Sequence, residues 1–322
     1  MEQAIRSFHT QFAWKPAVQN AGALKRKKRF IVAGMGGSHL AANLLSLCRP
    51  KLSLSISSDY GLPPLSDADL KDSLFIASSY SGNTEETIDF AKVALKKGYA
   101  VATISVGGEL LKLAEKHKLP HIILPDTGIQ PRSALGFSLL ALAKLIGDEK
   151  LLTELQALSK TLKPEAFEKS GKVLAQTLVG KVPVIYASTR NFPIAYNWKI
   201  KLNETGKVPA FYNVLPELNH NEMTGFDVIS TTEPLSKNFH FVFLSDSADH
   251  PKIQKRMAVC RKLYEERGLS VTEVPISGAS LPERMFQSLI TADWTALHKA
   301  GHYGAEAEQV PMVEEFKRLV SS

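Results

Sequence analysis

Short apolar runs alternate with segments of helical period along most of the chain, and this alternation constrains the fold more than any other feature. Runs rich in Val, Ile and Phe predict buried strands, and stretches such as ETIDFAKVALKKG between them predict helices. This βαβ alternation predicts parallel sheets with helices on both faces, in which ligands bind outside the carboxyl ends of the strands. The runs are RFIVAG (29–34), LSLSIS (52–57), SLFIAS (73–78), AVATIS (100–105), HIIL (121–124), VPVIYAS (182–188), FHFVFLS (239–245) and LSVTEVP (269–275).

The length of the chain and a polar stretch near its middle predict two domains. Its 322 residues are about twice the usual domain length, and its hydrophobic content of 44% and charged content of 22% are typical of globular proteins. A polar helical stretch at 148–180 follows the first group of apolar runs, so we place the boundary near Gly147 to Leu152. The predicted domains are residues 1–150 and 151–322, each an α/β doubly wound domain with a mostly parallel sheet flanked by helices.

Charge, cysteine content and hydropathy argue against several classes of protein. The run KRKKR at 25–29 supplies five of the net charge of +7 without interleaved aromatic residues, so a solvated approach to the next strand is favoured over a nucleic-acid patch. Cys48 and Cys260 are far apart, which argues against a disulfide framework or a CxxC site. Because there is no membrane-length apolar stretch and the start MEQAIRSFHTQF lacks a signal-peptide core, we expect a cytoplasmic protein with no nucleic-acid or membrane partner.

Two similar segments suggest that the halves are diverged copies. FIASSYSGN (75–83) aligns with FVFLSDSAD (241–249), and each is followed by another strand with a glycine at its exit. In the second segment the carboxylates of Asp246 and Asp249 replace the Tyr and Asn of the first. Because carboxylates repel anions, only the first segment is predicted to bind phosphate.

The segment SSYSGNTEET (78–87) gathers small hydroxyl side chains around one glycine directly after a strand. Gly82 can take a positive φ, and the helix that follows would direct free N–H groups and the positive end of its dipole into the turn. Further neutral donors would come from Ser79, Ser81 and Thr84. The segment therefore predicts an anion site. A capping box of Asn83 and Glu86 at the start of the helix is an alternative, and both interpretations can hold together.

A second glycine-rich turn, GMGGSHLAANLL (34–45), follows the first strand and opens a helix. A dinucleotide-binding fingerprint, supported by Asp59 at the end of the next strand, is one interpretation. It fits poorly, because His39 stands where that motif needs a third glycine for close packing of helix and strand. A sugar-phosphate turn fits better, since Gly37 allows close backbone approach and Ser38 supplies a hydroxyl.

Four motifs, taken in order, resemble those of the bifunctional phosphoglucose/phosphomannose isomerases, a two-domain branch of the sugar isomerase (SIS) fold. They are GMGGS, SYSGNTEET, QPRSALGFSLL (130–140) and NETGKVPAFYNVLPELNHNEMTGF (203–226), and the resemblance covers nearly the whole chain. The first two motifs occur in most SIS domains, including regulators that sense sugar phosphates, whereas PRSALG and PELNHNE are more particular. The resemblance implies two SIS-type domains, with phosphate-binding loops in residues 1–150 and a catalytic Glu/His segment and last helix in residues 151–322.

The resemblance also implies roles for individual residues. The substrate phosphate would be held by Gly37, Ser38, Ser79, Ser81 and Thr84. Arg132 would lie over the reacting carbons, and Glu204 would be the base. His220 would open the sugar ring, and Lys317 in the last helix would reach the substrate. Since related isomerases are dimers in which the histidine enters the partner's active site, the resemblance implies a homodimer with shared sites, a sugar 6-phosphate substrate and no cofactor.

The chemistry expected from these residues is aldose–ketose isomerisation of glucose 6-phosphate or mannose 6-phosphate with fructose 6-phosphate. A base must move a proton between carbon 2 and carbon 1 while a cation stabilises the enediolate, and Glu204 and Arg132 suit these tasks. Without the resemblance, Glu204 would be taken for a solvated surface glutamate and His220 for a histidine that fixes a loop. The His220/Glu222 pair is a weak ligand pattern, so no metal is expected.

Three residues depart from the family pattern, and a second function stays open. His39 is larger than the usual residue, Asn43 stands where aspartate is common, and Ser58 replaces a common arginine, changes that could alter substrate fit. The alternative function is a non-catalytic SIS protein that senses a sugar phosphate. Such a sensor needs the phosphate loop but not Glu204, Arg132 and His220 together, so their joint presence favours the enzyme.

Overall fold

A computed structural model describes residues 1–320, which divide into two compact units. Residues 7–162 form one, called here the N-terminal unit. The other, called the C-terminal unit, begins at Lys163 and also includes residues 1–6, which contain helix α1 (Glu2–Arg6). Each unit contains one parallel sheet with helices around it, so the predicted α/β fold class with two doubly wound units is confirmed.

The N-terminal unit is a five-stranded parallel sheet in the order β2-β1-β3-β4-β5. Every residue of the strand at Ser73–Ser78 is buried, because helices cover both faces of the sheet at its centre. The elements are β1 (Arg29–Ala33), α2 (Gly37–Cys48), β2 (Ser53–Ser57), α3 (Asp67–Lys71), β3 (Ser73–Ser78), α4 (Glu85–Lys96), β4 (Ala100–Ser105), α5 (Gly108–Lys116), β5 (His121–Ile123), α6 (Leu135–Ile146) and α7 (Glu149–Thr161).

The C-terminal unit is a four-stranded parallel sheet in the order β7-β6-β8-β9. This order repeats the order β2-β1-β3-β4 of the N-terminal unit, so β8 takes the place of β3. The elements are α8 (Glu168–Thr177), β6 (Val182–Ser188), α9 (Phe192–Glu204), β7 (Phe211–Leu215), α10 (Glu222–Gly225), α11 (Glu233–Ser236), β8 (Phe239–Ser245), α12 (Pro251–Glu266), β9 (Ser270–Pro275), α13 (Leu281–His302) and α14 (Pro311–Val320).

Each apolar run identified in the sequence forms a strand at its expected place, and one strand was not predicted. Strand β7 has the sequence FYNVL, with Phe211 exposed and Asn213 at its centre, so it shows no continuous apolar run. It lies at the edge of the sheet, where it pairs with another strand on one side only. An edge strand is less buried than a central one, so it does not need a continuous apolar run.

Helix α7 lies beyond the boundary expected near residue 150, yet it belongs to the N-terminal unit. Asp148 caps it by accepting a hydrogen bond from the Leu151 N–H at 2.8 Å, and Arg49 at the end of α2 donates to Asp148 at 2.6 Å and to Glu154 at 3.3 Å. These ion pairs hold α7 against α2, so the compact unit continues to Leu162.

Residues 1–6 are held by the C-terminal unit through ion pairs. The Arg6 guanidinium donates to Glu168 at 2.8 Å and lies 4.9 Å from the centre of the Trp294 ring, and the amino group of Met1 lies 2.9 Å from Glu308. The Trp294 ring adds a cation–π attraction to the ion pair of Arg6 and Glu168.

Candidate active site

The predicted phosphate loop is a tight turn between β3 and α4 in which the hydroxyls are hydrogen-bonded to the loop itself. The buried Ser79 hydroxyl accepts from the Gly82 N–H at 3.1 Å and lies 2.8 Å from the hydroxyl of Thr84. Ser81 is exposed, and its hydroxyl accepts from the Asn83 N–H at 3.3 Å. The structure therefore gathers three predicted phosphate-binding residues in one loop at the carboxyl end of the central strand.

Gly82 is required in this loop for two separate reasons. Its φ of +74° lies in the left-handed region that side chains with a Cβ rarely adopt. A Cβ at this position would also overlap the carbonyl oxygen of Gly107, because the loop packs against the turn before α5, where the Leu110 N–H donates to the Gly82 carbonyl at 2.9 Å. The expectation of a positive φ is confirmed.

The alternative interpretation of a capping box at Asn83 and Glu86 is wrong. Helix α4 begins at Glu85 with Thr84 at its N-cap position, and no side chain caps it. The side-chain oxygen of Asn83 instead accepts from the Glu109 N–H at 3.1 Å, at the start of the next helix. Asn83 thus holds the loop against α5, which leaves the first turn of α4 without a side-chain cap.

The glycine-rich turn after β1 is joined to the serine loop and to the Pro-Arg motif. The buried Ser38 hydroxyl accepts from the Tyr80 N–H at 2.9 Å. A Cβ on Gly37 would lie 2.8 Å from the Arg132 backbone nitrogen and 2.6 Å from the Pro131 carbonyl oxygen, so only glycine permits this approach. Three motifs that are remote in sequence therefore meet at one edge of the N-terminal sheet.

Arg132 is almost wholly buried, with 2% of its surface exposed, in a short 3-10 turn of residues 131–133. Gln11, itself buried, braces this turn: its amide nitrogen donates to the Ser133 carbonyl at 2.7 Å. Its amide oxygen accepts from the N–H groups of Gly136 at 3.0 Å and Phe137 at 3.3 Å in the first turn of α6. Nothing in the local sequence around Gln11 indicates this role.

The departures from the family pattern lie on or beside the same edge. His39 is half-buried in the first turn of α2, where burial lowers its pKa against the opposing effect of a hydrogen bond with the Gly34 backbone. Asn43 is buried one turn further along α2, and Ser58 is exposed directly after β2.

Glu204 is the last residue of α9 and is half-buried in the C-terminal unit. Burial raises the pKa of Tyr196 on the same helix, and the charge of Glu204 raises it further, which places the carboxylate within electrostatic range of the phenol. The end of the helix is fixed by Lys207, whose ammonium donates to the Glu204 carbonyl at 2.7 Å, and by the buried ion pair of Lys201 and Asp293 at 2.6 Å.

His220 is exposed at the end of a short 3-10 turn of residues 217–220 that follows β7. Leu218 in the same turn is fully buried in the core. Glu222, two residues after the histidine, accepts hydrogen bonds from the Tyr186 hydroxyl and the Asn213 amide. Sequence reasoning considered Glu222 only as a weak metal ligand and missed this contact, because its partners lie on two separate strands.

Lys317 lies on α14, whose residues are all exposed, and its ammonium is 2.8 Å from the Glu314 carboxylate one turn earlier. The structure thus places the predicted phosphate-binding residues and Arg132 in the N-terminal unit. Glu204, His220 and Lys317 lie on three different elements of the C-terminal unit.

The loop after β8, which corresponds to the phosphate loop, is filled by carboxylates of the chain. Asp246 accepts from the Ala248 N–H at 2.9 Å and from Arg190 and the Asn191 amide, each at 3.2 Å. Asp249 accepts from the Ser188 hydroxyl at 2.9 Å, and burial raises its pKa. Loop N–H groups that could receive an anion are thus used by internal acceptors.

Residues 1–320 lack two other kinds of feature. No group of three or more His, Cys, Asp or Glu side chains in this part of the chain is arranged to hold a metal ion. None of the helices described there combines the length and the apolar character needed to cross a membrane.

Comparison with known proteins places this chain in a family. Residues 167–320 match the family described as the bacterial phospho-glucose isomerase C-terminal SIS domain. The chain is 30% identical to a bifunctional phosphoglucose/phosphomannose isomerase of Aquifex aeolicus, over 98% of this chain and 96% of the relative. It is 34% identical to a protein of the same name from Caldicellulosiruptor bescii, over 91% of this chain and 89% of the relative.

Solved structures agree on the fold. A hypothetical protein from Thermus thermophilus superposes with a TM-score of 0.70 at 18% identity, over 99% of this chain and 87% of that chain. Because the sequence similarity to the Aquifex and Caldicellulosiruptor proteins extends over nearly their whole lengths, the chain belongs to the bifunctional phosphoglucose/phosphomannose isomerase family.

Proposed function

We propose that the protein is an aldose–ketose isomerase that interconverts glucose 6-phosphate and mannose 6-phosphate with fructose 6-phosphate. The observation that carries this proposal is the identity of 30% and 34%, over at least 91% of the chain, with relatives that are named for both isomerase activities. The alternative of a non-catalytic sensor is not favoured, because these relatives are enzymes by name.

The 6-phosphate of the substrate would bind at the edge of the N-terminal sheet where the glycine turn and the serine loop meet. The loop hydroxyls and the uncapped first turn of α4 supply neutral donors and a helix dipole directed at the anion. The residues assigned to this task are Gly37, Ser38, Ser79, Ser81 and Thr84.

Glu204 would take the proton from carbon 2 of the open-chain aldose and return it to carbon 1. The two electrons of the broken C–H bond pass into the enediolate, whose negative charge Arg132 would stabilise. The hydroxyl proton of oxygen 2 passes to oxygen 1, so that the carbonyl moves from carbon 1 to carbon 2. Because a guanidinium stays charged at any working pH, it can stabilise this intermediate without giving up a proton. Arg132 is buried in a turn whose backbone Gln11 holds in place, and such a fixed position favours electrostatic stabilisation.

His220 would open the sugar ring by moving a proton to the ring oxygen, a task suited to an imidazole, which can both donate and accept a proton. Its exposure at the end of a turn suits a residue that enters the active site of a partner subunit. We include in the proposal a homodimer in which each site takes Glu204 from one chain and His220 from the other. Lys317 would contact the substrate from α14.

Helix α14 supports the dimer part of the proposal. Met312 and Phe316 on this helix are 81% and 65% exposed, an unusual display of large apolar side chains for a surface helix. A second copy of the chain would cover this face, while Glu314 and Lys317 of the same helix form an ion pair with each other at 2.8 Å.

A coupled assay tests the proposed function. Purified protein is given glucose 6-phosphate or mannose 6-phosphate and fructose 6-phosphate formation is followed, with unphosphorylated glucose and mannose as controls. We expect turnover of both phosphates and negligible turnover of the free sugars. Tight binding of the sugar phosphates without product formation would support the sensor instead.

A further inference from the structure

The segment that carries His220 is tied to the sheet by a carboxylate two residues further on. One carboxylate oxygen of Glu222 accepts from the hydroxyl of Tyr186, and the other accepts from the side-chain amide of Asn213. Tyr186 lies on β6 and Asn213 on the neighbouring strand β7, so a single side chain joins the segment to two strands.

Both donors are fixed by their own surroundings. Tyr186 is fully buried between Phe241 and Phe243, and its hydroxyl lies 3.3 Å from that of Tyr264. Burial, more than the neighbouring Tyr264 and Glu222, raises the pKa of Tyr186 far above its ordinary value. The phenol therefore keeps its proton and donates a hydrogen bond to Glu222. The side-chain oxygen of Asn213 accepts from the Val214 N–H at 2.8 Å, which sets the direction of its amide nitrogen.

This contact is not what an ordinary surface glutamate would make. A carboxylate that turns inward loses hydration, and it gains enough in return only when hydrogen bonds satisfy its oxygens. Glu222 receives one such bond at each oxygen, from donors that carry no charge of their own. Apart from these bonds, the segment is anchored by the buried Leu218 and by partly buried Met223 and Phe226.

We propose that Glu222, through Tyr186 and Asn213, is a positioning residue that holds the His220 segment in the conformation needed for ring opening. This inference rests on the proposed function for the role of His220. The physical reason is that proton transfer to a ring oxygen requires the imidazole within hydrogen-bond reach, and a displacement of about 1 Å costs about 100-fold in rate.

The test removes one hydroxyl without changing the shape of the core. Tyr186→Phe deletes the donor to Glu222, and Tyr264→Phe is the matched control, because it makes the same change in the same cluster without a hydrogen bond to Glu222. We expect Tyr186→Phe to lower kcat on glucose 6-phosphate by about ten-fold or more with KM little changed, since a bond to a charged group is lost. Tyr264→Phe should keep kcat close to that of the wild type.

Combination with His220→Ala separates positioning from a general structural effect. If Glu222 acts through His220, Tyr186→Phe causes no further loss of kcat in a His220→Ala background. A loss by the same factor in both backgrounds, or equal losses in Tyr186→Phe and Tyr264→Phe, would overturn the proposal.

A second measurement does not depend on activity. Amide hydrogen exchange of residues 217–225 should be faster in Tyr186→Phe than in the wild type or in Tyr264→Phe, while exchange in β6 and β8 stays slow. Unchanged exchange in this segment would refute the anchoring even if the wild-type protein turned out not to be an isomerase. If the wild-type protein has no isomerase activity but exchange is still faster in Tyr186→Phe, the anchoring stands and only the proposed function is rejected.

Discussion

The amide nitrogen of Gln11 donates to the carbonyl oxygen of Ser133 at 2.7 Å, across 122 positions of sequence, and thereby fixes the turn that carries Arg132. Its amide oxygen serves two N–H groups of α6, so one buried side chain satisfies three backbone groups. A side-chain amide suits this arrangement, because its nitrogen donates while its oxygen accepts two hydrogen bonds.

We therefore expect Gln11→Met to lower both the stability of the N-terminal unit and turnover. Methionine fills a similar volume but leaves buried backbone groups unpaired, which costs about 1–3 kcal/mol for each group that finds no other partner. Urea unfolding followed by fluorescence, together with kcat on glucose 6-phosphate, measures the two effects. The same substitution at exposed Gln19 is the control, and equal behaviour of the two variants would contradict the bracing role.

Gly82→Ala should damage phosphate binding far more than Gly98→Ala. Both glycines have a φ above +70°, so both substitutions incur the backbone cost of about 1 kcal/mol. A Cβ at Gly98 meets nothing within 4 Å, whereas at Gly82 it would overlap the Gly107 carbonyl and push the serine loop away from α5. Titration with inorganic phosphate and KM for glucose 6-phosphate measure the difference, and similar affinities in the two variants would argue against phosphate binding at this loop.

Two inactive variants should restore activity when their subunits are exchanged. Glu204→Gln is expected to lower kcat by about 10²–10⁴-fold, because this is the usual contribution of a positioned base. His220→Ala should also be strongly impaired. In a mixed dimer with shared sites, one site carries both changes and the other carries neither. With random pairing about half of the dimers are mixed, so activity should recover to about a quarter of the wild-type value.

Mass spectrometry must show that the exchange has taken place. Mixed dimers that are present but inactive would refute the shared site, while leaving the isomerase proposal in place.

His240 on β8 should make the C-terminal unit less stable as the pH falls below about 6.5. Burial, with smaller effects of Lys181 and Lys299, lowers its pKa from 6.5 to about 4, and its imidazole lies 2.9 Å from the Thr272 hydroxyl. Since the unfolded chain binds the proton first, stability present above pH 6.5 is lost progressively as the pH falls towards about 4, by up to about 3 kcal/mol.

Unfolding by urea between pH 4 and pH 7 measures this loss, and His240→Gln should show a flatter dependence than the wild type. The exposed residue His117 provides the control substitution, His117→Gln. A wild-type profile that His240→Gln leaves unchanged would rule out this histidine as the cause.

The parts of the structure that the sequence predicted are those encoded by local pattern. Fully buried strands such as β3 appear as continuous apolar runs, and the turn at Gly82 is visible because a glycine lies between a strand and a helix. The half-exposed edge strand β7 has no such run, so its position could not be predicted.

The supporting residues of the candidate site could not be predicted for a different reason. Gln11 bonds a turn far away in sequence, and Glu222 finds one donor on each of two strands, so their roles depend on the assembled sheets. Asn83 matches a capping pattern, but the start of α5 lies close enough to take its side chain instead. Local pattern cannot decide between two acceptable partners when one of them is supplied by the tertiary fold.

The carboxylates in the loop after β8 give the C-terminal unit a permanent counter-ion. The Asp246 carboxylate accepts hydrogen bonds from the Ala248 N–H, Arg190 and Asn191, as a bound anion would. Because it is part of the chain, it cannot dissociate or be displaced by another anion. This loop therefore needs no solute for its order, at any concentration of metabolite. On this basis we expect each chain to bind one sugar phosphate, although the strand order that precedes the binding loop occurs in it twice.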